Sequence, residues 1–529
     1  MPLAVTAAAG HPDAGLVGLD GVTLAWRDVE LATAAAAAAL IDVGITPGAR
    51  VAILHPKSTE SFLAVHAVLR AGAVVVPLDP LGASAALQSI LEQIQAAAVI
   101  GAADALARKL GPALAASPVP IFATGSLDPL NDLGIDPDRL LDWRRAADSR
   151  RTTTTNTAQL ELPQVDPEDP AYVIFTSGST GVPKGIVHSH RSGWAYAVTA
   201  IEHHRLRAGA RVAGIPPLHF DMSTFELYSA PLAGASAVTI SEAEQRFPAS
   251  LSQRLADEGV THIYAVPFLL RQLQERGALA DRDLSALEHI GYAGEAYAPG
   301  ALAELMTALP GVPVTNLYGP AETNVVTSYD VDVAPRAGVN VPIGRLWPDC
   351  DWRLVNERGE DVAEGEPGEL IVSAPTSMTS YWQLPELTAA RLTPNASDAW
   401  PWYATGDIVE RHGDTFWYLG RRDHQVKIRG FRLELEAIEA TLTDAPGVEH
   451  AVVAAIEDAD RSGEMQLVAC VVLKDGAALD VRAIKRWCAG QLAPVAVPTN
   501  FRLEATLPMT ASGKIDRAAV RKSLAASAG

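Results

Sequence analysis

Hydrophobic and polar residues alternate along the first 165 or so positions with two different periods. An alanine-rich helix is predicted from Trp26 to Val43, and an amphipathic helix from Ser58 to Ala71. Between and after them come short apolar runs of strand length, Arg50 to Leu54, Ala73 to Pro77 and Ala96 to Gly101. Strands alternating with helices predict an α/β layered fold with largely parallel sheet. A Thr-rich connector of low hydrophobicity runs from Ser149 to Val165. Beyond it, strands are predicted at Tyr172 to Phe175, Thr261 to Pro267, Ile290 into a glycine turn, and after a turn at Gly365 to Val372. From about Arg422 the order changes to helix (Glu434 to Leu442), strand (Ala451 to Ala455), strand (Gln466 to Leu473) and helix (Val481 to Gln491). The pattern therefore divides the chain into a large α/β unit, residues 1–421, and a small α+β unit, residues 422–529.

Composition narrows the function. A chain of 529 residues is too long for one ordinary core. A net charge of −20 argues against nucleic acid or an anionic membrane as partner, while leaving room for a nucleotide, which needs only local positive charge. Cys350, Cys470 and Cys488 are odd in number and lack metal-ligand spacing, as expected of a cytoplasmic protein without a disulfide framework. Met1 to Gly18 shows no basic start and no long apolar run, so no signal peptide is expected. The alanine run Ala34 to Ala39, flanked by Glu30 and Asp42, reads as a helix too short to span a membrane.

The candidate chemistry centres on Ala171 to Gly185. An apolar strand, Tyr172-Val-Ile-Phe175, gives way to the hydroxyls of Thr176, Ser177, Ser179 and Thr180, the glycines 178, 181 and 185, and Lys184. Glycines let successive N–H groups point at one anion, and the lysine adds fixed charge, so this is a phosphate cradle. It is not a Walker loop, because Pro183 precedes the lysine and Gly185 follows it.

Thr-Ser-Gly-Ser-Thr-Gly-x-Pro-Lys-Gly resembles the phosphate loop of the acyl-adenylating superfamily, which includes acyl-CoA ligases, luciferases and the adenylation domains of non-ribosomal peptide synthetases. Further stretches match in order and rough spacing. Leu69 to Pro77 resembles an early structural motif of the family, adequately explained as helix then buried strand. Val314-Thr-Asn-Leu-Tyr-Gly-Pro-Ala-Glu-Thr323 resembles its nucleotide motif. The resemblance implies that Tyr318 stacks on adenine, with Asn316, Gly319 and the Gly294–Glu295 turn around the base. It also implies Thr323 at the α-phosphate and Glu322 on Mg²⁺, a hard carboxylate for a hard cation. Asp407 in Tyr-Ala-Thr-Gly-Asp would hold the ribose hydroxyls, Arg421 would contact ATP, and Asp423 would be an interdomain hinge. Lys514, in Pro-Met-Thr-Ala-Ser-Gly-Lys-Ile-Asp, would be the adenylation lysine, acting with Glu322, Thr176 and Lys184.

Phe220-Asp-Met-Ser-Thr-Phe-Glu226 resembles the amino-acid-activating branch, in which the Asp pairs with the substrate ammonium. An aspartate before a helix is otherwise an N-cap. Here a cation entering an apolar pocket needs a partner, which Asp221 supplies. The pocket positions carried over are Asp221, Met222, Phe225, Ala265, Gly291, Ala293, Leu317, Val325, Val326 and Lys514. Apart from Asp221 and Lys514 they are apolar, so the substrate side chain is expected to be aliphatic, alicyclic or aromatic, with Gly291 and Ala293 leaving room. An α-amino and a β-amino acid remain equally open, and His219 either gates the pocket or packs beside it.

The resemblance implies ATP and Mg²⁺ as cofactors and a reaction in two steps. The substrate carboxylate attacks the α-phosphorus of ATP and expels pyrophosphate, and a phosphopantetheine thiol then takes the acyl group. No Leu-Gly-Gly-x-Ser attachment motif follows Lys514, so the carrier protein is expected to act in trans. The alternative reading is an acyl- or aryl-CoA ligase, against which Asp221 counts.

Overall fold

A computed structural model describes residues 11–146, 162–176, 182–336, 338–395, 400–422, 425–458, 461–474, 476–478, 480–508 and 516–526. Most of the Thr-rich connector lies outside them. A large N-terminal domain is built on two extended sheets, followed by an antiparallel sheet and a smaller C-terminal domain.

The first sheet has eight strands among the described residues. Its middle is parallel, running Pro170–Thr176, Val74–Pro77, Arg50–Leu54, Ala98–Ala102, Ile121–Thr124 and Leu140–Asp142. Lys184–Ser189 and Ser380–Tyr381 close one edge antiparallel. The second sheet has nine strands, with Ser236–Thr239, Arg211–Gly214, His262–Ala265, His289–Tyr292 and Val314–Tyr318 parallel at its centre.

Alternation along the strands explains the layering, because successive side chains point to opposite faces. Val51 and Ile53 face the core between the sheets, whereas Ala52 and Leu54 face an outer core with Leu87, Ile90 and Leu106. In the second sheet Tyr264 faces the shared core, and Ile263 and Ala265 face the helices behind. The helices Trp26–Asp42, Thr59–Arg70 and His190–His203 contribute to the shared core. That position accounts for the alanine run. Ala34 to Ala37 are buried, and small side chains let a helix seat close to its neighbours. Trp26 ties this helix to the second sheet by donating its indole N–H to the Ala235 carbonyl at 3.0 Å.

The third sheet, Asp351–Val355, Gly368–Ser373, Trp402–His412, Leu392–Thr393 and Thr415–Arg421, is antiparallel throughout. The sequence pattern anticipated only its second strand, because its other strands mix buried, half-buried and exposed positions and lack a continuous apolar run. After it comes a two-stranded hairpin, Gln425–Ile428 with Phe431–Glu434. The smaller domain follows as the helix Leu435–Thr443, a three-stranded sheet (Val448–Asp458, Arg461–Leu473, Asn500–Leu503) and the helices Val481–Ala489 and Arg517–Ala526.

Candidate active site

A cleft of roughly 610 Å³ opens between the two domains. It lies off the C-terminal ends of the parallel strands His289–Tyr292 and Val314–Tyr318, where open α/β sheets bind ligands. Gly294, Glu295, Asn316, Leu317, Tyr318 and Gly319 line one wall, and Tyr418, Arg421 and Lys427 another. Backbone geometry shapes it. Gly294 has φ +96°, and a β-carbon on Gly319 would lie 1.7 Å from the Asn324 carbonyl oxygen, so the turn after the strand requires glycine there. The Asn316 amide donates to the Pro342 carbonyl at 2.8 Å. Tyr318 donates its hydroxyl to Asp407 at 2.5 Å, and Arg421 donates to the other oxygen of the same carboxylate at 2.5 Å. Tyr318, Asp407 and Arg421, 103 positions apart at the extremes (421 minus 318), therefore form one unit at the cleft wall.

Thr176 ends its strand directly opposite Lys184 in the antiparallel register. Ser177, Gly178, Ser179 and Thr180, between the two, lie outside the described residues, as do Asp423 and Lys514. Thr323 is buried, its hydroxyl donating to the Pro320 carbonyl at 3.3 Å.

The hairpin Gln425–Glu434 brings Gln425, Lys427 and Arg429 to this cleft. Arg432 donates to both Glu322 oxygens, at 2.8 and 2.7 Å, and Tyr381 donates to the same carboxylate at 2.7 Å. Burial alone would push this carboxyl up. The Arg432 charge and the Tyr381 hydroxyl outweigh it and hold Glu322 at about 2, ionised throughout the physiological range. Lys184 lies 3.4 Å from Glu434, whose Oε1 also accepts from Gln425 at 2.5 Å. Gly430 donates its N–H to Glu295 at 3.2 Å, and Arg429 stacks over Phe268 at 5.0 Å. Lys427 is driven toward its neutral form by burial, against the attraction of Asp407 and Asp221. Glu322, Lys184 and Glu295 are thus paired with the hairpin, whereas Asp407 is held by Tyr318 and Arg421. An ionised, buried carboxylate already opposite a guanidinium suits a cation such as Mg²⁺. No group of three or more His, Cys, Asp or Glu among the described residues could hold a metal by itself.

Asp221 opens a one-turn 3₁₀ helix, Asp221–Ser223, that runs into the π-helical turn Phe225–Ser229. Its side chain accepts from its neighbour's backbone N–H (Met222) at 2.9 Å rather than capping a long helix. Burial pushes its carboxyl up to about 6, against the pull of Lys427 and the Met222 N–H. Burial, with a contribution from the Asp221 charge, raises the Tyr172, Tyr196 and Tyr264 hydroxyls. Met222, Phe225, Ala293, Leu317 and Val325 share the core between the sheets with Tyr264. Two carried-over positions separate from them. Ala265 packs with Ile263 and Leu269 behind the sheet, and Val326 packs with Tyr318, Ile343 and Tyr403. The room expected at Gly291 is filled, since a β-carbon there would lie 2.6 Å from the His204 ring and 2.9 Å from Leu317. His219 sits 3.8 Å from Asp79 and edge-on to Phe220, which in turn meets Phe431 of the hairpin at 4.9 Å.

Residues 5–382 match the family of AMP-binding enzymes, and residues 437–514 match the AMP-binding enzyme C-terminal domain. The chain belongs to the AMP-binding enzymes. It is an adenylate-forming ligase and uses ATP. Among curated relatives of this AMP-binding enzyme, an L-proline–[L-prolyl-carrier protein] ligase of Pseudomonas fluorescens is 32% identical over 94% of each chain. The phenyloxazoline synthase MbtB of a Mycobacterium species is 32% identical over 98% of this chain and 41% of its own length. Among solved structures, the amide bond synthetase McbA of Marinactinospora thermotolerans has the same fold, with a TM-score of 0.85, 24% identity, and coverage of 98% of this chain and 99% of that one.

Several groups at the site of this AMP-binding enzyme escaped sequence reasoning. Tyr264 was within reach, since period-two alternation puts it, and not Ala265, on the face of Gly291. Tyr196, His204 and Tyr381 arrive from distant segments with no local signal. The sequence pattern gives Arg432 no role and has Glu434 open the helix Glu434 to Leu442, whereas Glu434 ends the strand Phe431–Glu434; their partners Glu322 and Lys184 are 110 and 250 positions away.

Proposed function

We propose that this ligase activates an amino acid with an apolar side chain as its aminoacyl adenylate. It then transfers the acyl group to the phosphopantetheine thiol of a carrier protein in natural-product biosynthesis in the cytoplasm. One observation carries the reading: a half-buried carboxylate, Asp221, stands beside Met222 and Phe225 of the shared core and within electrostatic reach of Lys427 in the cleft wall. An anion in such a place invites an ammonium group. The similarity to a prolyl-carrier protein ligase supports the amino acid and the carrier.

In the first step the substrate carboxylate oxygen forms a bond to the α-phosphorus, the bond from that phosphorus to the bridging oxygen breaks, and pyrophosphate leaves. Tyr318, Asn316 and Gly294 would hold the base and Asp407 the ribose, while Thr176 to Lys184 would hold the terminal phosphates. Lys514 would sit between the carboxylate and the phosphate. Glu322 would hold Mg²⁺, which neutralises phosphate charge when bound. The protein's contribution is positioning and charge, since ATP brings its own leaving group. In the second step the thiol sulfur attacks the acyl carbon, loses its proton, and AMP departs.

In the structure Arg432 holds Glu322 and Glu434 holds Lys184, so the hairpin and the nucleotide compete for the same groups. We assign residues 1–421 to a nucleotide- and amino-acid-binding core and 422–529 to a lid that turns about Asp423, withdrawing the hairpin for the first step and returning it for the second.

Substrate-dependent ATP–pyrophosphate exchange tests the reading, with α-amino acids, β-amino acids and matched acids lacking the amine. Exchange with an apolar amino acid, lost in Asp221→Ala, followed by loading of a phosphopantetheinylated carrier protein added as a separate chain, is the expected result. Exchange only with amine-free acids, and transfer to free coenzyme A, would instead establish a CoA ligase.

A further inference from the structure

Behind Phe225 and Gly291, two of the proposed amino-acid-binding positions, lies a cluster of rings. His204 follows the helix His190–His203, its backbone N–H donating to the Ala200 carbonyl at 2.9 Å. Arg205, next along, takes φ +56°, so the chain turns sharply directly after His204. That ring is 0% exposed. It stacks on Phe225 with centroids 4.0 Å apart, and meets Tyr264 edge-on at 4.9 Å and His289 edge-on at 5.3 Å. Its neighbours are tied down: His289 shares a hydrogen bond with Thr315 at 2.9 Å, and His262 with Thr261 at 2.7 Å. Neither nitrogen of His204 has a hydrogen-bond partner among the described residues, so packing holds the ring where it is.

What it packs against is Gly291. Tyr264 and Gly291 are register partners on adjacent strands, and His289, Gly291 and Ala293 alternate onto one face. On that face lie Phe225, Ala293, Leu317 and Asp221's neighbour Met222. Gly291 has no side chain, and the depth this opens is occupied by the His204 imidazole, 2.6 Å from where a β-carbon would be. The position that looks spacious in the sequence is thus filled from a helix end 87 positions earlier (291 minus 204).

We propose that His204 sets the depth of the amino-acid pocket, so that this enzyme selects short aliphatic or small-ring side chains and rejects aromatic ones. The inference rests on the amino-acid-activating reading above and narrows its substrate class. His204 acts as a steric stop behind Phe225 and Gly291, and the chemistry stays with the groups at the cleft. Because the stop is contact with an apolar side chain, each additional methylene pushed against it is expected to cost about 10-fold or more in kcat/KM.

Pyrophosphate exchange across a graded series, from alanine through valine and proline to leucine and phenylalanine, with the β-amino counterparts, tests this. In the wild type kcat/KM should fall steeply beyond the compact members. In His204→Ala the phenylalanine-to-valine ratio should rise by about 10-fold or more, chiefly through KM, while KM for ATP stays unchanged. His204→Leu, of similar bulk, should keep the wild-type cut-off. A wild type that takes phenylalanine as readily as valine overturns the inference without any variant, as does a folded His204→Ala that keeps the wild-type ratio. Loss of the cut-off in His204→Leu would also overturn it, showing that bulk is not what matters. Failure of every amino acid to support wild-type exchange would overturn the underlying ligase reading and this inference together, a result distinct from the others.

Discussion

Asp221 shows how a single residue's surroundings convert it from a helix-start aspartate into a candidate ligand. Its side chain serves one local backbone N–H, and burial raises its carboxyl to about 6. Ammonium recognition needs the ionised form. In the free enzyme kcat/KM for an amino acid should therefore climb as pH rises through about 6 and then level off, because that parameter reports free-enzyme ionisations. Asp221→Asn should abolish the step, measured by exchange kinetics from pH 5 to 8. An unchanged profile would show that this carboxyl does not bind the amine. The sign for stability is opposite. The unfolded chain ionises this group first, so it withdraws stability from the ligand-free fold as pH rises from about 4 to about 6. Lys514 is a second residue-scale expectation. As the one positive group proposed to bridge carboxylate and phosphate, its removal in Lys514→Ala should lower the exchange rate on the order of 10²–10³-fold. A variant exchanging at the wild-type rate would remove it from the mechanism.

At the scale of elements, the hairpin Gln425–Glu434 is the piece whose role sequence patterning could not supply. Its own strands are short and ordinary. What distinguishes it is where Arg432 and Glu434 come to rest, on Glu322 and Lys184. If the hairpin competes with the nucleotide, Arg432→Ala should lower the apparent KM for Mg-ATP severalfold in the exchange assay, and an unchanged KM would show that the pairing is incidental. Strands illustrate the same dependence. The run Thr261 to Pro267 reads as a strand from composition, but which of Tyr264 and Ala265 meets the substrate depends on which face the neighbouring sheet buries.

At the scale of the molecule, the two large sheets are joined by a buried ion pair. Lys57, just past the strand Arg50–Leu54, pairs with Glu226 in the turn after Asp221, and also donates to the Pro216 carbonyl. The glutamate of the motif Phe220 to Glu226 is therefore engaged in the joint between the sheets. Burial pushes Glu226 up to about 7 and Lys57 down, each opposed by its partner. Removing one charge strands the other. Lys57→Met should cost about 3–5 kcal/mol in denaturant unfolding, and Lys57→Met with Glu226→Leu should recover much of it. Additive losses in the double variant would mean the pair is not a unit.

The layered fold and the membership of the AMP-binding enzymes were legible in the chain because the patterns that carry them are local, each a few adjacent residues. Asp221 was legible for the same reason. Its environment was not, since Tyr172, Tyr196, His204 and Tyr264 converge only when two sheets close on one layer of helices. Sequence by itself determined the fold class and the family, and named the groups proposed to meet ATP and an ammonium. Tertiary structure alone decided that Gly291 is plugged, that Ala265 and Val326 pack elsewhere, and that Glu322 and Lys184 are paired with the hairpin. The physical reason is that space and charge pairing belong to residues brought together from far along the chain, and strand alternation and helix ends, not spacing in sequence, settle which of them arrive.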